Sequence, residues 1–394
     1  MVSGSTSRTR FDQNPMNIAP LATAQMPRIP AARGVASTQN PRVLHQKTGA
    51  PQQLGAKFKT LLALALLTLT FSQAKADDKG FAWQEPAEDH IDLTYDGRPA
   101  LRYMMPTLDE SSEEARNATF KPYHHVFSPD GKTLLTKGPG GLFPHHRGIF
   151  YGFNNITYGE GKKCDTWHCT GKTYQSHEQE IYHEVHDNSA SHVVLIDWHG
   201  AEGEVFAIEE RQVSVERAKR HGVEGWLIDI HSTLSTADGL PIHLDGDPQH
   251  AGMQFRATQE VPDKTAKETY YLRPDGPGKP GEYRNWDHKN PDAPGNKQST
   301  DLPWNALCFV VDGQRFTVLY MASPDNPRPA HYSERDYGRF GSYFVADVTA
   351  EKPLTVNYRF WVQAGEMTVD QAKALYDNYI APPAPAPPAD SGTN

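Results

Sequence analysis

The chain has 394 residues, with 39 Lys+Arg against 48 Asp+Glu and a formal net charge of −9. That acidic balance argues against nucleic acid and anionic membranes as partners. Three cysteines exclude a disulfide scaffold, and the length allows one large domain or two.

Residues 1–55 are rich in Ser, Thr, Gln, Pro and Arg and show no apolar period. They read as a disordered extension, or as the product of a start codon assigned too far upstream. Residues 56–76 follow the pattern of a signal peptide: a basic Lys57-Phe58-Lys59, an apolar run over 60–71 and an Ala74-Lys75-Ala76 cleavage site. The run is too short to span a membrane. The expectation is a periplasmic or secreted protein with no membrane contact after cleavage. An uncleaved anchor behind a long tail is the alternative. Residues 1–76 hold nine of the basic residues and one of the acidic ones, which leaves 30 against 47 and a net of −17 for the remainder. In an exported protein Cys164 and Cys169 could pair across C-D-T-W-H-C. The alternative is three reduced core thiols.

From residue 77 to 380 the pattern is strand after strand, read as one domain. Trp226, Ile228, Ile230 and Leu234 share one face of 225–235, with Asp229, His231 and Thr233 on the other. Leu354, Val356, Tyr358, Phe360 and Val362 alternate with polar residues in the same way. Similar runs occur at 192–199, 204–216, 252–261, 306–311, 316–322 and 342–348. Period-2 alternation marks half-buried antiparallel strands. Turn signals such as Ser128-Pro129-Asp130-Gly131, Asp238-Gly239 and Asp312-Gly313 separate them. The expected fold is therefore all-β: a large antiparallel β-sandwich with a short C-terminal helix. Residues 264–303 are polar and rich in Gly, Pro, Asn and Asp. With Tyr270, Tyr271 and Trp286 they read as a lid over a cleft. Thr368 and Gln371 form a capping box that opens a helix over 368–379, expected to pack on the sandwich edge. Residues 381–394 form a Pro/Ala-rich tail, read as disordered.

Four clusters could carry chemistry. The first pairs Tyr123-His124-His125 with Pro144-His145-His146-Arg147-Gly148, which follows a glycine-rich approach and precedes an aromatic strand. Neighbours on a strand point to opposite faces, so one histidine of each pair is expected to face a cleft. The second is Asp165-Thr166-Trp167-His168. Asp165 and His168 could act as an acid/base pair or as metal ligands, and Trp167 could stack on a sugar face. The third is His250, Gln254 and Arg256, a polar row on one strand face that suits a polyhydroxylated ligand. The fourth is His331, Arg335, Tyr337 and Arg339, where an arginine could hold a carboxylate. Neither C-x-x-C nor H-E-x-x-H is present, so no metal ligands are assigned, and a histidine-rich metal site is kept as an alternative. No nucleotide or dinucleotide fingerprint occurs.

At these residues the chain resembles a family of exported bacterial proteins that carries the label "methane oxygenase PmoA" or domain of unknown function. The matching motifs are Pro122 to Gly131 (Pro-x-His-His-x-x-x-x-Pro-Asp-Gly), PHHRG at 144–148, Asp-x-Trp-His at 165–168, His-x-Gly-x-x-Phe-Arg at 250–256 and Arg-Asp-Tyr-Gly-Arg-Phe-Gly at 335–341. The resemblance covers about residues 90–380. A membrane methane monooxygenase subunit needs transmembrane helices, and residues 77–394 hold no long apolar run, so the label does not fit. Members of that family look like companions of carbohydrate-degradation genes, and the strand pattern looks like the galactose-mutarotase supersandwich. This resemblance implies a sugar ligand but no particular reaction.

The leading expectation is an exported carbohydrate-active enzyme of lyase, epimerase or hydrolase type, acting on a small-molecule or oligosaccharide substrate without a cofactor. Its catalytic residues would be His146, His250, His145, His168 and Asp165. Its substrate-binding residues would be His125, Arg147, Trp167, Gln254, Arg256, His331, Arg335, Tyr337 and Arg339. A histidine would move the proton, and Arg147 or Arg335 would hold an anion. The alternatives are a non-catalytic sugar-binding protein and a metal-dependent enzyme.

Overall fold

The structure is a computed structural model that describes residues 79–381. Residues 1–78, with the expected signal peptide and the extension before it, and residues 382–394 lie outside the described residues.

Every strand pairing is antiparallel. An eight-stranded sheet runs in the order Phe81–Trp83, His90–Tyr95, Arg98–Met104, Tyr123–Val126, Ile149–Phe153, Ala251–Arg256, Arg339–Tyr343, His331–Arg335. A nine-stranded sheet runs Gly276–Pro277, Tyr270–Arg273, Trp304–Val311, Gln314–Ala322, Leu354–Ala364, Val223–Thr236, Val205–Arg220, Ser189–His199, Tyr174–Val185. A small four-stranded sheet joins Ala346–Val348, Ile242–Asp245, Asn155–Tyr158 and Lys162–Cys164. The all-β sandwich read from the alternation is the observed architecture.

The two large sheets share one apolar core. Trp226, Ile228, Ile230 and Leu234 enter it from one sheet, and Ile149, Tyr151, Met253 and Phe255 from the other. Burying each such side chain stabilises by about 1.5–3 kcal/mol. A one-residue slip would turn the whole set outwards, so burial fixes the register. The hairpin at Asp312-Gly313 fixes it locally, since both residues have positive φ (51° and 72°) between Val311 and its partner Gln314. A polar contact also crosses the core: His124 and His192 meet Nε2 to Nε2 at 3.2 Å, both buried.

The outer face of the nine-stranded sheet carries the C-terminal helix, Val369–Ile380. Its capping box of Thr368 and Gln371 is formed, and Ala372 and Leu375 pack against Trp304, Leu319 and Trp361. The helix therefore lies on the sheet face, not on its edge. Three further local expectations change. Residues 252–261 are strand only to Arg256, and Val261–Thr265 forms a turn of π-helix. Residues 342–348 split between two strands of different sheets. Residues 264–303 do not form a lid: Tyr270–Arg273 is a sheet strand, Tyr271 is buried in the core, and Trp286 stacks on His331. A second helix, Glu113–Thr119, opens on a Ser112 cap. Among the described residues no helix is long and apolar enough to cross a membrane.

Candidate functional site

Alternation along Ala251–Arg256 sends Met253 and Phe255 into the core, which turns Gln254 and Arg256 to the outer face of the eight-stranded sheet. Three loops fold onto that face. Gly152 makes room for the first, because a Cβ there would come within 3.0 Å of the Thr166 carbonyl. The 165–168 turn therefore lies directly on the strand. Gln254 anchors the second by donating from Nε2 to the carbonyls of Pro248 (3.0 Å) and Ala251 (2.8 Å). The third, 138–148, closes around the buried Lys137 ammonium, which donates to the carbonyls of Gly138 (3.1 Å) and His146 (3.3 Å).

Four histidines converge where these loops meet. Ring centroids of His145 and His146 are 4.3 Å apart, His145 and His168 4.5 Å, His168 and His250 4.8 Å, and His146 and His250 5.7 Å. One nitrogen from each of His145, His146 and His250 lies within 4.8 Å of the others. These three could hold a metal ion.

The histidines are of two kinds. His168 and His250 each sit three residues after an aspartate, in the same local design. Asp165 accepts the backbone N–H of Trp167 and His168 and binds His168 Nδ1 at 2.7 Å. Asp247 accepts the backbone N–H of Gln249 and binds His250 Nδ1 at 3.0 Å. Each carboxylate thus fixes its ring and turns Nε2 away from itself. Burial works to raise the Asp247 pKa, but the contact with His250 outweighs it and the carboxyl falls to about 2. His145 and His146 have no such partner: His145 Nε2 and both nitrogens of His146 are buried without a hydrogen bond. Burial and the neighbouring His168 push His145 down to about 2. Burial and the Arg339 guanidinium hold His146 well below its ordinary value. Both rings are neutral imidazoles at any physiological pH.

Other expected residues have different surroundings. Arg147 is fully buried and donates to the carbonyls of Ala118 (3.2 Å), Asn117 and Pro144, so it caps the end of Glu113–Thr119 and does not face the cluster. His125 is buried, bonded to Thr136 Oγ1 (2.9 Å) and the Tyr123 hydroxyl (3.3 Å), with no contact to the cluster. Trp167 is fully buried against Phe150 at 4.3 Å, so its ring is closed to a sugar face. His331 stacks on Trp286 at 3.9 Å, and the Arg335 guanidinium lies over Tyr283 at 5.2 Å; neither touches the four histidines. Tyr337 does reach them, stacked 6.2 Å from His146. Arg339 is buried beside it and donates to Gln254 Oε1 and to Ser333 Oγ at 2.8 Å. Cys164, Cys169 and Cys308 are free thiols, and the Cys169 thiol lies 3.3 Å from the Thr166 carbonyl.

Three residues of this centre were not singled out from the sequence. Asp247 was overlooked although Asp165-Thr166-Trp167-His168 and Asp247-Pro248-Gln249-His250 repeat one D-x-x-H spacing. Lys137 gave no signal, because nothing in Thr136-Lys137-Gly138 marks its ammonium as buried. Phe143, 41 % exposed, stands 5.7 Å from His146 and 5.0 Å from Tyr337 and makes an apolar rim.

The chain belongs to a family of unknown function, DUF6807, whose model matches residues 90–377. No curated protein matches it.

Proposed function

We propose that this chain is an exported, metal-dependent, carbohydrate-active enzyme in which His145, His146 and His250 hold a divalent transition-metal ion. The observation that carries the reading is the convergence of three imidazole nitrogens within 4.8 Å, two of the three rings lacking any other partner for those atoms. An all-imidazole set suits zinc, copper, iron or nickel. The Asp247 carboxylate behind His250 matches the outer-shell partner that metal-bound histidines have. A general acid or base needs a pKa near the working pH, and buried His145 and His146 lack one, so they are assigned as ligands. His168, fixed by Asp165, is left to move the proton. The ion would polarise a substrate oxygen or a bound water.

Phe143 and Tyr337 support a sugar ligand, as an apolar rim beside a polar centre is what a sugar ring with one C–H face requires. The likeness to PmoA-labelled exported proteins and to the mutarotase supersandwich belongs to the same proposal. Elemental analysis of extensively dialysed protein tests it, with about one equivalent of metal expected, lost in His250→Ala. A panel of plant and algal oligosaccharides, assayed for new reducing ends or unsaturated products, tests the chemistry. Folded, metal-free protein that turns over a substrate would remove the metal. Binding of oligosaccharides that are never altered would make the chain a binding protein.

A further inference from the structure

Five cations are packed around the histidine cluster with almost no solvent contact: Lys121, Lys137, Arg147, Arg256 and Arg339 are each 0–3 % exposed. Among the described residues, none of the five has a carboxylate within 4.0 Å, whereas the buried arginines elsewhere do. Arg211 is paired with Glu209 at 2.7 Å, and Arg273 is held by Glu334. The fold thus pairs buried guanidiniums with acids away from this site and leaves them unpaired here.

The five are not equivalent. Lys121 donates to the Trp167 carbonyl, and Lys137 and Arg147 also spend donors on backbone carbonyls. Arg256 donates from Nη1 to the carbonyls of Ala257 and Tyr337, but its Nε and Nη2 are buried with no acceptor. Arg339 likewise has a buried Nε with no acceptor. The Tyr337 ring lies 4.8 Å from the Arg256 guanidinium and stacks 6.2 Å from His146, which places the guanidinium beside the cluster. A buried cation whose donors lack acceptors is costly unless a counter-ion compensates it. Among the described residues there is none, although the chain as a whole is acidic.

We propose that the ligand of this site carries an oxyanion, a carboxylate, sulfate or phosphate group, and that Arg256 and Arg339 receive it beside His146. Guanidinium forks match the geometry of such groups. The proposal deepens the carbohydrate reading above and rests on the same site, narrowing the substrate to an acidic or esterified sugar. It does not require the metal. A dication on the three histidines would add to the positive charge and strengthen the demand for an anion.

Thermal unfolding of the purified chain after chelation, at constant ionic strength, reads this directly. Galacturonate, sulfate and phosphate are titrated separately, with galactose and chloride as controls. At least one oxyanion should raise Tm saturably, by about 5 °C at a hundredfold excess over Kd, and the controls should not. Which oxyanion does so distinguishes a uronate from an ester. Gln254→Glu places a carboxylate on the Arg339 guanidinium and should abolish the response; it also removes the amide donations to the Pro248 and Ala251 carbonyls, so its Tm with anion is read against its own Tm without anion and not against wild type. Arg339→Gln should also abolish the response. Wild-type protein that responds to no oxyanion, or a response unchanged in Gln254→Glu, overturns the proposal. Metal content measured on parallel unchelated samples keeps the two readings apart: metal-free protein that responds to oxyanions retains this one alone, and metal-binding protein that does not respond retains only the other.

Discussion

Replacing each of the two aspartates by asparagine separates the roles assigned to the histidines. Asp247→Asn keeps a side-chain oxygen to accept the Gln249 N–H, now 2.8 Å from Oδ1, so the turn should persist. What is lost is the charge behind His250, which meets Nδ1 at 3.0 and 3.1 Å. Removing such an outer carboxylate costs about 10–100-fold in metal affinity, which is about 1.4–2.7 kcal/mol. Asp165→Asn removes the same charge from His168, at 2.7 Å. If His168 moves a proton and is not a ligand, this second variant should bind metal within about threefold of wild type while turnover collapses. Competition against a chromophoric chelator measures the affinities, and Asp229→Asn, whose carboxylate pairs with Arg359 on the nine-stranded sheet, is the remote control. Equal losses in the two site variants would make His168 a fourth ligand. No loss in Asp247→Asn would refute the three-histidine centre.

The buried pair between the sheets predicts a pH dependence. Burial, then for His192 the nearby Arg211 and for His124 the facing His192, keep both rings neutral in the folded state, with His192 lowered to about 3. The unfolded chain binds a proton on each below about pH 6.5. The folded state does not, so stability falls as pH drops from 6.5 towards 3. At pH 5 the His192 ring should cost about 2 kcal/mol. In urea titrations at pH 7.5 and 5, His192→Gln should lose about that much less than wild type, and an equal loss would refute the assignment. Arg147→Met leaves the carbonyls of Asn117, Ala118 and Pro144 without their donor and should destabilise by about 3 kcal/mol with metal stoichiometry unchanged in the folded fraction. Phe143→Ala should change stability by less than about 0.5 kcal/mol at its exposed position. It should raise KM about five- to tenfold for a sugar substrate, the value of one lost aromatic contact, with little change in kcat.

What the sequence revealed and what it hid follow from one distinction: alternation reports on a strand's own two faces, not on what lands on them. The run at 225–235 was legible because Trp226, Ile228 and Ile230 meet a continuous core. Gln254 and Arg256 were legible as an outward row for the same reason. Their burial under the 138–148, 165–168 and 247–250 loops was not, because the first two come from more than 80 residues away and the third carries no period of its own. The lid expected over 264–303 failed on a four-residue strand, Tyr270–Arg273, too short to show alternation among prolines and glycines. The Glu113–Thr119 helix is likewise shorter than the window in which a 3.6-residue period can be seen. PHHRG shows the limit most sharply. Its five residues look like one functional unit, yet His145 and His146 face the cluster while Arg147 turns to cap a helix some thirty residues earlier. The repeated D-x-x-H spacing is different in kind. Aspartate caps its own turn and, in doing so, aims the histidine three residues on, so both the orientation and the dyad are local. A spacing of that sort can be read without a fold, and here it marks two of the four histidines that the fold brings together.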